Sequence, residues 1–193
     1  MSLHIEDGGG SGQLVKVSSE GRLNTVSVNQ ELQHYTSISD GNSYQVIGDF
    51  ASLNNSTFPI LHIQNTDTTR NMVVSFIRMQ IIGAAGGNFN ASTYFQIGRD
   101  RTYSSGGTAV TPVNINFSSG NVASATCYDN NPTLAGTFTE LDRWYPGGNG
   151  EMQTFNKQGS IILGLNDTLE IRCVTDHTSG TAYARVTFMM IAP

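Results

Sequence analysis

The stretch that decides the fold is Ser160–Pro193, SIILGLNDTLEIRCVTDHTSGTAYARVTFMMIAP. It reads as three strands separated by an Asn-Asp turn at Asn166 and a Ser-Gly turn at Ser179. In the last strand one face carries Ala182, Ala184, Val186, Phe188 and Met190, and the other carries Tyr183, Arg185 and Thr187. This alternation of period two is typical of a half-buried β-strand. The segment therefore predicts a β protein, and it contains no pattern typical of a catalytic site.

The composition favours short strands and many turns over helices. Glycine accounts for 21 of the 193 residues and charged residues for only 13%, and the only lysines are Lys16 and Lys157. Long helices use Ala, Leu, Glu and Lys heavily, whereas Gly, Ser and Asn suit turns. A net charge of −5 with scattered arginines argues against a nucleic-acid partner, which would require clustered cations.

Cys127 and Cys173 are the only cysteines. Cys173 alternates with Leu169 and Ile171, so its thiol is predicted to face inward among apolar neighbours. We interpret both cysteines as free, buried small apolar residues, with a disulfide between them as the less favoured alternative.

The beginning of the chain differs in composition from the rest. A Gly-rich run, residues 8–12, is typical of a flexible tether. We predict an extended N-terminal arm over residues 1–28 and a β-sandwich domain over residues 29–193. The candidate partner contacts of the arm are Leu14, Val15, Val17, Arg22, Leu23, Val26 and Val28. Without a basic and apolar leader or a long apolar run, we expect a soluble protein made in the cytoplasm, with no membrane partner.

The sandwich is predicted to contain eight or nine antiparallel strands connected in a jelly-roll-like way. Segment 71–82 is apolar on both faces, with Val73 and Ile77 on one and Val74 and Phe76 on the other. Such a strand is either covered on both sides or packed against another subunit. Residues 111–117 are predicted as a strand and residues 130–156 as the longest loop-like insertion. The candidate subunit contacts are Val74, Phe76, Met189 and Ile191, with a covering loop as the alternative.

The sequence contains few patterns typical of a catalytic, cofactor or metal site. No two of the four histidines have a metal-ligand spacing, and no motif of a nucleotide or nucleophile site occurs, so we predict no metal, cofactor or enzymatic activity. Glu140 and Asp142 precede Trp144 and Tyr145, the residue types of a sugar site. We favour a loop anchored by one aromatic side chain, and we retain Trp144 and Tyr145 as candidate glycan contacts.

Three groups of residues carry a resemblance to a known family. They are Gly21-Arg22-Leu23 through Val28, then GTAVTPVNIN at 107–116 followed by SGNVASA at 119–125, and SIILG at 160–164. This set resembles small β-sandwich virion proteins of tailed bacteriophages, namely capsid cement or decoration proteins and related head or tail accessory proteins. The likeness covers most of residues 14–193.

The resemblance implies a jelly-roll-like homotrimer fixed to the outside of an icosahedral capsid, with the major capsid protein as its partner. It implies localisation to the virion and brings no catalytic residues. The Trp144-Tyr145 segment and the glycine-rich start depart from the family pattern. They leave open the alternative of a head-fibre or tail-spike module that recognises a host surface glycan.

Overall fold

The structure, a computed structural model, describes residues 36–38, 40–83, 92–148 and 150–193, apart from the side chains of residues 158 and 159. All of these belong to the unit Leu32–Pro193. The arm residues predicted as partner contacts, from Leu14 to Val28, lie outside the described residues, and that prediction stays a prediction.

Thirteen strands make up the described part of the chain. They are β1 (Ser43–Phe50), β2 (Thr57–Asn65), β3 (Asn71–Gly83), β4 (Tyr94–Arg99), β5 (Thr102–Ser105), β6 (Thr108–Val110), β7 (Val113–Asn114), β8 (Ala125–Asp129), β9 (Thr133–Ala135), β10 (Thr139–Trp144), β11 (Met152–Leu163), β12 (Thr168–Val174) and β13 (Gly180–Ile191). All of the strand pairs are antiparallel.

The strands form two large sheets that face each other. Sheet 1 has the order β11-β3-β13-β1-β7, sheet 2 has the order β10-β4-β12-β2-β8-β6, and β5 pairs with β9 separately. Along the chain β1, β3, β11 and β13 enter sheet 1, while β2, β4, β10 and β12 enter sheet 2. This arrangement of eight strands is that of a jelly roll, which confirms the predicted fold class.

The core lies between the two sheets and follows the alternation seen in the sequence. The inward side chains of β13, from Ala182 to Met190, are at most 1% exposed, and Cys127 and Cys173 are buried free thiols beside them. Asn166, in the predicted turn before β12, has a φ of +67°, a conformation that asparagine adopts more readily than most residues. Strand periodicity, turn and cysteine state are therefore as predicted.

Strand β3 changes its register at Ser75. Phe188 lies opposite Val74, but Thr187 lies opposite Phe76, so one extra residue bulges out of β3. The side chains that face the core are consequently Met72 and Val74 before the bulge and Ile77, Met79 and Ile81 after it. The prediction that both faces of this strand are apolar is therefore wrong. The apolar residues before and after the bulge form one buried face, because the extra residue shifts the alternation by one position.

The region predicted as a long loop, residues 130–156, is mostly strand. It contains β9, all of β10 and the first residues of β11, and β10 and β11 belong to the jelly roll itself. The loop prediction is therefore wrong. The true insertion is residues 100–138, between β4 and β10, in which the predicted strand at residues 111–117 shrinks to the two residues of β7.

Candidate interaction surface

The outer face of sheet 1 carries exposed apolar side chains around a pair of arginines. Arg185 of β13 lies opposite Arg78 of β3 on one side and Ile47 of β1 on the other. Ile47 is 47% exposed and Met152 of β11 is 58% exposed. We call this surface the contact face, made of Ile47, Phe76, Arg78, Met152, Tyr183 and Arg185.

The two arginines of the contact face have no ion-pair partner among the described residues: no carboxylate of that part of the chain forms an ion pair with Arg78 or Arg185. Like charges opposite each other on neighbouring strands destabilise a sheet. A partner that brings an acidic or aromatic group to this face would remove that cost, so the pair points to an external contact.

A hollow of about 110 Å³ lies at the centre of the contact face. Ile47, Met152 and Tyr183 supply its apolar walls, and Arg78 and Arg185 line it as well. An apolar hollow with cationic groups at its wall accommodates an aromatic side chain well, because a guanidinium is attracted to the face of an aromatic ring.

The four predicted subunit contacts separate into two groups. Phe76 and Ile191 are half-buried, and both lie on the outer side of sheet 1. Val74 is fully buried in the core, because the bulge at Ser75 turns it inward, so its assignment as a surface contact is wrong. Met189 does point outward but is only 5% exposed, which leaves little area for a partner.

The chain before β1 passes next to Met189. The main-chain N–H of its neighbour Met190 donates to the carbonyl of Asn42 at 2.9 Å, and the adjoining Ser43 is fully buried. The assignment of Met189 as a subunit contact is therefore also wrong. Phe76 and Ile191 stay as predicted contacts.

Trp144 and Tyr145 do not form a common surface. Trp144 faces the core edge, where its ring stacks on Phe95 at 5.5 Å and meets Phe155 edge-on at 6.5 Å. Tyr145 is 49% exposed and lies against Tyr94 at 5.3 Å. The two rings thus pack against different partners and do not face one sugar together. The prediction that Trp144 is an exposed platform for stacking a sugar is therefore wrong. Tyr145, beside Tyr94, stays as the candidate glycan contact.

Charged groups around Tyr145 are already engaged with each other. Arg143 donates from Nε and Nη2 to the two carboxylate oxygens of Glu140, both at 2.8 Å, and from Nη1 to the hydroxyl of Tyr145 at 3.3 Å. The hydrogen bonds from Arg143 hold the pKa of Glu140 below its ordinary value. Glu140 is therefore ionised at neutral pH. An ionised carboxylate has no proton to donate, so Glu140 is unsuited to act as a general acid.

An ionic cluster that the sequence did not reveal lies under the insertion. Arg101 Nη1 is 3.2 Å from Oε1 of Glu170, whose side chain is only 1% exposed, and Arg101 Nη2 donates to the carbonyl of Leu134 at 2.6 Å. His62 Nε2 donates to the carbonyl of Arg101 at 3.0 Å. Arg101 and Glu170 are 69 residues apart, so no local pattern signals their pairing.

The insertion also packs tightly against sheet 2. A Cβ at Gly98 would lie 2.3 Å from the ring of Phe138, so only glycine admits this ring to the sheet. The guanidinium of Arg172 lies 3.4 Å from the centre of the same ring. The ionic cluster and this contact together attach residues 100–138 to the outer face of sheet 2, which is therefore covered by the chain itself.

A cleft of about 380 Å³ opens between β10 and β11, the edge strands of the two sheets. Leu141 and Ile162 form its exposed apolar rim. Its lysine, Lys157, is paired with Asp142 at 2.7 Å. The cleft thus contains a satisfied ion pair, and its chemistry does not identify a ligand.

Metal ligands and reactive thiols were the remaining candidates for chemistry in the described part of the chain. No group of three metal-ligating side chains occurs there. Burial raises the pKa of Cys127 and of Cys173 to about 12, so neither thiol is a thiolate at neutral pH. Nor do the described residues include a helix long and apolar enough to cross a membrane.

The outer face of sheet 1, with its arginine pair and hollow, is therefore the candidate interaction surface. Comparison with known proteins adds no relative: no protein-family model matches the chain, and neither a curated protein nor a solved structure matches it significantly.

Proposed function

We propose that this chain is a structural virion protein, a jelly-roll subunit that assembles through its contact face and decorates the outside of an icosahedral phage head. The observation that carries the assembly part is the pair Arg78 and Arg185, which has no ion-pair partner among the described residues and is framed by the exposed side chains of Ile47 and Met152. A surface of this kind is unfavourable in an isolated chain and becomes favourable when a partner covers it.

Two further features support a structural role. Two ion pairs, Arg101 with Glu170 and Lys157 with Asp142, join separate segments of the chain and so hold the fold together. The jelly roll recurs among viral capsid domains, although lectins and cupins share it, so the fold alone does not decide the function. The phage head as the partner rests on the resemblance of the sequence.

Replacing Arg185 with glutamate tests the assembly surface. A glutamate opposite Arg78 creates a favourable cross-strand pair, so the variant monomer is expected to be as stable as the wild type or more stable by about 0.5 kcal/mol. Self-association, followed by sedimentation velocity, is expected to weaken at least about tenfold, because the face no longer needs an acidic partner. The wild type should approach three times the 20.8 kDa chain mass at high concentration.

The matched control is Arg99→Glu, which alters an exposed arginine far from the contact face. Co-sedimentation with heads of the virus that encodes the chain tests the decoration part. We expect saturable binding at hundreds of copies per head for wild type and Arg99→Glu. Unaltered self-association of Arg185→Glu would contradict the assembly surface, and failure of the wild type to bind heads would contradict decoration.

Glycan recognition is a second candidate, supported by the exposed ring of Tyr145 beside Tyr94. If the protein is a fibre or spike module, Tyr145→Ala should abolish binding on an array of host surface glycans while the melting temperature stays unchanged. Leu165→Ala, which removes another exposed side chain, serves as the control. Glycan binding that persists in Tyr145→Ala would remove this site from consideration.

A further inference from the structure

A phenylalanine stands almost completely exposed on the loop between β7 and β8. Phe117 is 94% exposed, and its neighbours Val113 and Val122 are 60% and 70% exposed. We call residues 113–122 the Phe117 loop. Single exposed apolar residues are common on protein surfaces, but an aromatic ring that touches almost nothing of its own chain is a frequent anchor for a partner.

The Phe117 loop is held rigidly. Three asparagine side chains donate to main-chain carbonyls of the segment before β1: Asn114 to Gly41 at 2.7 Å, Asn116 to Ser37 at 2.8 Å and Asn121 to Asp40 at 2.9 Å. Within the loop, the side chains of residues 114, 116 and 119 accept hydrogen bonds from main-chain N–H groups two residues further on. A preorganised loop loses little conformational entropy on binding, so the exposed ring is presented ready for contact.

The contact face contains a receptor of suitable size and chemistry. Its hollow measures about 110 Å³, and a closed cavity of about 150 Å³ is known to hold a benzene molecule. The hollow of about 110 Å³ is open on one side, so it accommodates most of a phenyl ring. Arg78 and Arg185 at its wall would lie against the ring, where a guanidinium is favoured.

The charges around the two surfaces are complementary. The sequence has no lysine or arginine between Arg101 and Arg143, and Asp40, whose carbonyl holds Asn121, is exposed beside the loop. The Phe117 loop itself thus has no cation and has a carboxylate beside it, and the nearby guanidinium of Arg70 is paired with Asp67. The hollow, in contrast, carries two arginines without an ion-pair partner among the described residues. The lack of an unpaired cation at the loop also disfavours an anionic lipid surface as the target of Phe117.

We propose that Phe117 of one copy inserts into the hollow of the contact face of a second copy. This inference rests on the proposed assembly through the contact face and names the group that fills it. Phe117, which we call the knob, and the hollow lie at different places on one chain. The contact is therefore heterologous, and repeated contacts close into a ring or extend as a filament.

Site-directed cross-linking tests the contact directly. Ser118→Cys, next to Phe117 on the same loop, and Met152→Cys are prepared separately, mixed, and treated with a short thiol–thiol cross-linker. Ser118 is exposed, and its replacement leaves the ring of Phe117 in place. The two native cysteines are buried, so the background should be low. We expect a covalent dimer in the mixture and none with either variant alone. Ser118→Cys mixed with Leu165→Cys, an exposed position in the turn before β12, should give none.

Sedimentation velocity supplies the second readout. Phe117→Ala, which removes the knob, and Met152→Arg, which fills the hollow, should each weaken self-association at least about tenfold. When mixed, they retain one intact knob and one intact hollow, so a dimer that cannot grow further is expected. Val122→Ala, on the same loop, is the matched control and should assemble like the wild type.

The outcomes separate this inference from the proposed function. If Arg185→Glu fails to self-associate but Phe117→Ala assembles normally, assembly through the contact face is supported and the insertion of Phe117 is contradicted. A covalent dimer of Ser118→Cys alone would overturn the heterologous contact in favour of a symmetric one. A wild-type chain that stays monomeric at all concentrations would overturn both proposals.

Discussion

Replacing Val74 with aspartate is expected to unfold the sandwich, whereas the same replacement at Val73 leaves it folded. Val74 is fully buried in the core cluster, and Val73 is half-buried on the outer side of β3. A carboxylate taken into the core without a partner costs several kcal/mol, comparable to the whole stability of a domain of about 5–15 kcal/mol. At Val73 it remains in contact with water.

The measurement is urea denaturation followed by circular dichroism, on both variants under the same conditions. Val74→Asp should show no cooperative transition or one shifted by most of the wild-type stability. Val73→Asp should lose no more than about 1 kcal/mol, as surface changes usually do. A larger loss in Val73→Asp than in Val74→Asp would mean that β3 has no bulge at Ser75, and equal large losses would mean that both side chains are buried.

Replacing Arg101 with methionine is expected to lower the free energy of unfolding by about 3 kcal/mol. The change leaves the carboxylate of Glu170, 1% exposed, without its closest cation at 3.2 Å. Methionine preserves much of the aliphatic packing of arginine, so the loss measures the charge and the hydrogen bond to Leu134. Arg99→Met removes an arginine two residues away that is 58% exposed and should cost less than about 1 kcal/mol.

The loss in free energy of unfolding caused by Arg101→Met, which we call the deficit, should depend on pH. Burial raises the pKa of Glu170 above 4.5, and the charges of Arg101 and Arg172 counteract this rise. A raised folded-state pKa means that stability is greatest when the group is protonated and falls as pH rises through that pKa. Without Arg101 the pKa of Glu170 rises further, so the deficit relative to wild type should be smaller near pH 4.5 than at about pH 8.

His62, next to Glu170 on β2, contributes to the same pH dependence. Burial lowers its pKa and the charge of Arg101 lowers it further, whereas the hydrogen bond to the carbonyl of Arg101 raises it. Both proteins lose stability as pH falls below 6.5, but the variant loses less because the charge of Arg101 is gone, so His62 also makes the deficit smaller at low pH. Relative to Glu170→Gln alone, the double variant Arg101→Met with Glu170→Gln should show a deficit that depends less on pH. A deficit that is the same at both pH values would show that the pair acts through packing alone.

Much of the fold was predictable because it follows from local patterns. The alternation from Ala182 to Met190 predicted which side of β13 is buried, and Cys173 lies inward beside Ile171 as expected. In β3 the same reasoning failed for Val74, because one extra residue at Ser75 shifts the alternation. Both sides of that strand are apolar enough that the sequence does not reveal the shift.

The candidate site was less predictable than the fold. Phe76 lies on the outer side of sheet 1, and its subunit contact stays a prediction. Arg78 and Arg185 become a pair only because β3 and β13 are neighbours in sheet 1. Trp144 packs on Phe95, in line with the favoured interpretation of one anchoring aromatic side chain, but the segment that carries it is the strand β10 and not a loop. Tyr145 follows the end of β10, and its exposure is visible only in the structure.

The sequence by itself determined the β class, the jelly-roll-like sandwich and the turns, because strand periodicity and turn chemistry are properties of neighbouring residues. Only the tertiary structure decided where the apolar side chains of β3 point, that Glu170 is buried against Arg101, and that Phe117 is exposed on a rigid loop. These features arise between residues far apart in the chain, where strand register and burial, and not local pattern, set the interactions.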